Sequence, residues 1–199
     1  VHGEEMQDTG ESNRRWIIDP IDGTANYLRG VPVWATLIAL ELEGQIVASV
    51  VSAPALGRRW WASMGGGAYT GRSILSATPI HTSKVSQLSD ASLSYASING
   101  WVESGRGQGF VDLMRECWRS RGYGDFWSYM LVAEGAVDIA CEPELALYDM
   151  AALDIIVREA GGRFTSIDGE PGPYHGNALA TNGLLHDVVL ERLRPSKAG

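Results

Sequence analysis

Asp19-Pro20-Ile21-Asp22-Gly23-Thr24 sets two carboxylates three residues apart, directly after the apolar run Trp16-Ile17-Ile18. A short buried strand ending in that turn aims both acids and a free carbonyl at one point, the oxygen donor set that hard divalent cations take. The Gly-Thr turn adds backbone N–H groups suited to a phosphate. Together they point to magnesium-assisted hydrolysis of a phosphate ester. Asp-Pro and Asp-Gly are also common turn formers, so the pair taken alone fits a capping role equally well.

Five further acids stand in four separate segments. Glu4 and Glu5 follow Gly3, Asp149 stands where an N-cap would precede a helix, Glu142 closes a predicted strand, and Asp125 precedes another helix. Each has a plain alternative: solvated surface for Glu4 and Glu5, a helix cap for Asp125 and Asp149, a loop acid for Glu142. Spacing alone does not bring them together. His2 and His186 have no partner pattern and read as surface or capping residues. Gly65-Gly66-Gly67 reads as a turn, because no Lys-Ser/Thr follows it.

The elements that must position these residues alternate between strand and helix. Trp34–Leu42 and Gln45–Ser52 are β-rich runs joined at Glu43-Gly44, which reads as a hairpin, and Arg58–Met64 is the next strand. No strand or helix is predicted before Trp16, and residues 7–14 read as a polar loop. Phe110, Leu113, Met114 and Cys117 share one face of a predicted helix over Gly107–Ser120. Further helices are predicted over Phe126–Glu134, Met150–Ala160 (stopped by Gly161-Gly162) and Leu184–Leu193, and strands over Val137–Cys141, Arg163–Ser166 and Ala178–Thr181. A polar tail follows from Arg194. The class is α/β or α+β in layers, with the first half richer in strand.

With 199 residues and 45% apolar content, a formal charge of −8 and pI near 5.0, the chain suits a globular unit. It suits a nucleic-acid backbone poorly, since no basic run offsets the repulsion. Cys117 and Cys141 are too few for a disulfide framework or thiolate cage, and the apolar runs are too short to cross a bilayer. These features point to the cytoplasm, with no nucleic-acid or membrane partner. Trp34, Trp60, Trp61, Trp101, Trp118 and Trp127 read as core or subunit-interface residues.

Asp19-Pro-Ile-Asp-Gly-Thr-Ala-Asn26-Tyr27 and Tyr148-Asp-Met-Ala-Ala-Leu-Asp-Ile-Ile-Val-Arg-Glu-Ala-Gly-Gly162 resemble the paired signatures of the inositol monophosphatase-like phosphatases, and Gly3-Glu4-Glu5 resembles their upstream glutamate motif. The resemblance covers essentially all of the chain, although the family's usual helical opening, with its further acidic motif, has no counterpart. It implies a layered αβαβα sandwich and a homodimer. Residues 1–199 form a single unit in this reading, divided into a strand-rich metal-binding half (about 1–105) and an α/β half (about 106–199).

The resemblance also implies site roles. Glu4, Asp19 and the Ile21 carbonyl hold one Mg²⁺, and Asp19, Asp22 and Asp149 hold a second; the family binds two or three. Glu4 and Thr24 orient and deprotonate the attacking water, with Asp19 also counted in the catalytic set, and the Gly23 and Thr24 amides cradle the phosphate. Tyr148 stands where the family commonly has Trp. Arg29-Gly-Val-Pro-Val-Trp34, Val51-Ser-Ala-Pro-Ala-Leu56, Arg59-Trp-Trp61 and Tyr123-Gly-Asp-Phe126 most resemble the histidinol-phosphate phosphatases of the actinobacterial type. That substrate carries an amine and an imidazole, for which Asp125 and Glu142 are two carboxylate partners. The alternatives are an inositol-1-monophosphatase, a phosphatase for another small phosphate monoester, and, in a different class, a catalytically silent binding protein.

Overall fold

The computed structural model describes residues 1–5 and 13–194. Most of the polar loop predicted over 7–14, and the tail beyond Arg194, lie outside the described residues. A seven-stranded sheet runs in sequence order: β1 (His2–Gly3), β2 (Arg14–Asp22), β3 (Ala35–Leu42), β4 (Gln45–Ala53), β5 (Arg58–Ser63), β6 (Gly67–Gly71) and β7 (Thr78–Pro79). The first residues therefore form a strand where none is predicted. His2 and Gly3 pair in parallel with Ile17 and Ile18, a register that carries Glu4 alongside Asp19.

The β3–β4 hairpin closes through Glu43 and Gly44, both with positive φ (52° and 79°), as a two-residue turn matched to strand twist requires. Along β3, buried Ala35, Leu37 and Ala39 alternate with half-buried Thr36, Ile38 and Leu40, so one face of the sheet is turned to the core.

A five-stranded sheet, in the order β11 (Arg163–Thr165), β12 (Ala178–Thr181), β10 (Ile139–Glu142), β8 (Ser92–Ser94), β9 (Arg119–Arg121), forms a second layer. Between the sheets lie α4 (Asp125–Ala133) and α5 (Leu147–Glu159), joined in one core by Leu37, Trp60, Phe126, Met130, Leu153, Ile156 and Phe164. On the far side of the smaller sheet, α2 (Asn99–Glu103), α3 (Gly107–Glu116) and α6 (His186–Leu193) bury Trp101, Phe110, Leu113, Val189 and Leu193 against Leu93, Ile139 and Leu179. The described residues thus supply four layers, β–α–β–α, of the five that the resemblance implies.

Several expectations change. The helix predicted to Ser120 ends at Glu116, because Cys117 turns extended (φ −77°, ψ 147°) and the chain enters edge strand β9. Trp60 is fully buried and donates its indole N–H to Glu134 Oε1 at 2.6 Å, so it belongs to the core and to no subunit interface. His186 is also fully buried, with its ring nitrogens 2.9 and 3.0 Å from the Thr165 and Thr181 hydroxyls. Burial, then the nearby Arg163 charge, pulls its pKa down to about 4. Among the described residues no helix is long and apolar enough to cross a membrane.

Candidate active site

The Asp-Pro-Ile-Asp acids sit within the last residues of β2, before any turn. In a regular strand, residues three apart face opposite sides. Here Asp19 pairs with Leu37 and Asp22 with Ala35, so β2 carries one more residue than β3 across that interval. Pro20 has no N–H to give the ladder, and the resulting bulge returns Asp22 to the side that Asp19 faces. The Ile21 N–H closes the bulge onto Asp19 Oδ1 at 2.9 Å, and the Thr24 hydroxyl donates to the Ile21 carbonyl at 2.9 Å. Gly23 then takes a left-handed turn (φ 79°) into the short helix α1 (Thr24–Arg29).

Asp149 reaches the same point from the first turn of α5. It is not the N-cap: the helix begins at Leu147, and the Asp149 carboxylate folds back to accept the Ala146 N–H at 2.8 Å. One carboxylate oxygen from each of Asp19, Asp22 and Asp149 lies within 4.8 Å of the others. Asp125 is not a cap either. The acceptor for the Phe126 N–H at the start of α4 is Asp22 Oδ2, at 2.9 Å, while Asp125 Oδ2 accepts from the Asn26 amide at 2.7 Å.

These groups line one open cleft of about 510 Å³, which also takes in Glu4, Ile21, Gly23, Thr24, Asn26, Tyr123, Tyr129 and Glu142. Every predicted site residue faces it; Glu5, the neighbour of Glu4, does not line it. Among the described residues, the lining holds six carboxylates and no Lys, Arg or His. Burial, then the charges of Glu4 and Asp149, pushes the Asp19 pKa up to about 8. Burial holds Asp22 well above the usual carboxylate range despite the Phe126 N–H, and raises Asp149 despite the Ala146 N–H. Burial, then the Asp125 charge, pushes Glu142 up to about 8 against the lowering effect of the nearby Tyr129 hydroxyl, and among the described residues its buried Oε1 has no partner within hydrogen-bond geometry.

The donor set fits a divalent cation: clustered oxygen ligands, strained as bare acids and relieved by positive charge. An anionic ester entering a cleft of this sign also needs cations. Asn26 and Tyr129 escaped the sequence reading as site residues. Asn26 stood inside a quoted motif without a role, and Tyr129 lies in a helix whose apolar run gave no signal that one side chain reaches a cleft.

The sequence matches the inositol monophosphatase family over residues 1–197. It is 64% identical over 194 residues to the histidinol-phosphatase of Streptomyces coelicolor, covering 96% of this chain and 73% of that one. Identity to the histidinol-phosphatase of Mycobacterium tuberculosis is 57% over 196 residues, 97% of this chain and 75% of that one. The extragenic suppressor protein suhB of Bartonella henselae shares the fold at a TM-score of 0.88 and 29% identity, covering 97% of this chain and 74% of that one.

Proposed function

The chain belongs to the inositol monophosphatase family, and from that premise we propose that it is a Mg²⁺-dependent phosphomonoesterase that hydrolyses L-histidinol phosphate to L-histidinol and phosphate. The observation that carries this reading is the cleft lined by six carboxylates among the described residues. The clustered oxygens of Asp19, Asp22 and Asp149 suit divalent ions, and Asp125 and Glu142, two further carboxylates lining the same cleft, suit the cation of the substrate.

Asp19, Asp22 and Asp149, with Glu4 and the Ile21 carbonyl, would hold the divalent ions. Bound there, the ions supply Lewis-acid stabilisation to the phosphoryl oxygens and the departing ester oxygen. The Gly23 and Thr24 N–H groups face the phosphate and fix its orientation. Glu4 and the Thr24 hydroxyl position a water in line with the ester bond. Its oxygen adds to phosphorus as the P–O bond to the alcohol breaks, its proton passes to Glu4, and the released alkoxide takes a proton from solvent. Asp125 and Glu142 pair with the ammonium and imidazole of the alcohol portion, satisfying the orphaned Glu142 oxygen. The protein acts as a homodimer in this reading, as the family resemblance implies; light scattering at assay concentration returns the dimer mass, and a monomer mass removes that element.

The test is phosphate release with Mg²⁺ present, comparing histidinol phosphate with inositol 1-phosphate. We expect a higher kcat/KM for histidinol phosphate, loss of turnover with EDTA, and a fall of about a hundredfold or more in Asp19→Asn. A preference for inositol 1-phosphate removes the substrate assignment. Undiminished turnover after chelation removes the metal-dependent mechanism.

A further inference from the structure

We propose that Asn26 is a positioning residue for substrate selection, holding the Asp125 carboxylate in place beside the Gly23-Thr24 turn. The inference rests on the reading of the protein as a phosphatase for a cationic ester. Asn26 Nδ2 donates to the Val33 carbonyl at 3.0 Å and to Asp125 Oδ2 at 2.7 Å. Both amide hydrogens are thereby committed, one to the segment that enters β3 and one to the start of α4. The other Asp125 oxygen takes no hydrogen bond from a described residue, and the side chain lines the cleft, so Oδ1 remains for a ligand donor.

The backbone at Asp125 needs that restraint. Its φ is +48°, a left-handed conformation that is strained for a residue with a β-carbon. Strain of this kind persists where surrounding contacts over-determine it, and two contacts do so here. Asp22 Oδ2 takes the Phe126 N–H, and Asn26 takes the Asp125 carboxylate. The two gripping residues flank Gly23 and Thr24, so one short stretch fixes both the phosphate cradle and the neighbouring carboxylate that meets the cation of the substrate. The approach is close: a Cβ on Gly23 would lie 2.8 Å from the Val33 carbonyl oxygen and 3.3 Å from Asp125 Oδ2. Selection for a cation-bearing ester follows from holding that carboxylate in place next to the cradle.

Steady-state kinetics of Asn26→Ala and the isosteric Asn26→Asp test this, on histidinol phosphate and on p-nitrophenyl phosphate, which lacks a cation. Thermal melting identifies folded variants, and Asn26→Asp preserves side-chain volume should the alanine variant not fold. We expect KM for histidinol phosphate to rise about tenfold with kcat within about twofold, and both constants for p-nitrophenyl phosphate to stay within about twofold. In an Asp125→Ala background, Asn26→Ala should raise KM no further. Equal losses on both esters, additive effects in the double variant, or an unchanged KM overturn the role of Asn26. Absence of any preference for histidinol phosphate in the wild type instead overturns the substrate reading on which the inference rests.

Discussion

At the scale of single residues, the Asp19/Asp22 pair was legible from residue type, while the means of its convergence was not. The spacing suggested a turn beyond a strand; the structure uses a bulge inside one, for which Pro20 is the visible cause once the β3 register is known. Asp149 and Asp125 illustrate the same limit. Both looked like helix caps, and both helices do start near them, but the Phe126 N–H is taken by Asp22, far away in sequence. Glu142 was legible only as an acid at a strand end, because burial and an orphaned oxygen are properties of the assembled cleft. That oxygen makes Glu142→Gln informative. The variant keeps the shape of the side chain and removes the negative charge, so KM for histidinol phosphate should rise about tenfold with little change in kcat, while p-nitrophenyl phosphate is unaffected. A matching loss on both esters would place Glu142 in support of the phosphate cradle instead.

At the scale of elements, the strands around the hairpin were legible because alternation and the Glu43-Gly44 turn agree, and α5 was legible from its Gly161-Gly162 stop. The end of α3 was not: Cys117 continues the apolar spacing of the helix, and only the chance to pair with β8 draws Arg119–Arg121 into a strand. α5 also shows why amphipathic pattern fails between two sheets. Met150–Val157 are all buried, so no polar face marks its position. The turn after it carries a strict requirement. A Cβ on Gly162 would lie 2.5 Å from the Thr181 carbonyl oxygen and 2.8 Å from Val157 Cγ1, where β11 meets β12. The first of these is backbone and cannot swing aside. Gly162→Ala should therefore destabilise the protein by about 1–3 kcal/mol, lowering the thermal midpoint by about 3–10 °C. An unchanged midpoint would mean the turn has slack that the packing does not show.

At the scale of the whole molecule, a net charge of −8 and a cleft of six acids mean that the fold holds together a site that repels itself. Asp19 titrates near 3.8 when free and at about 8 in the folded, metal-free chain. Between those values the folded state binds the extra proton, so this group's contribution to stability is complete below about pH 4 and is lost as pH rises towards 8. His186 works in the opposite sense. Its pKa falls from 6.5 to about 4, so its contribution is present above 6.5 and is lost as the pH falls towards 4. The two windows separate above pH 6.5, where His186 no longer contributes a slope. Chelated protein should therefore lose about 5 °C or more of thermal midpoint between pH 6.5 and 8.5, and Asp19→Asn, which cannot ionise, should lessen that loss, leaving the share that Glu142 contributes over the same range. Saturating Mg²⁺ should cancel or reverse it, since the cation binds the ionised carboxylates and competes with their protons. A midpoint independent of pH in the chelated wild type, or a slope that Mg²⁺ leaves unchanged, would show that the acids of the cleft are not held together against their own repulsion.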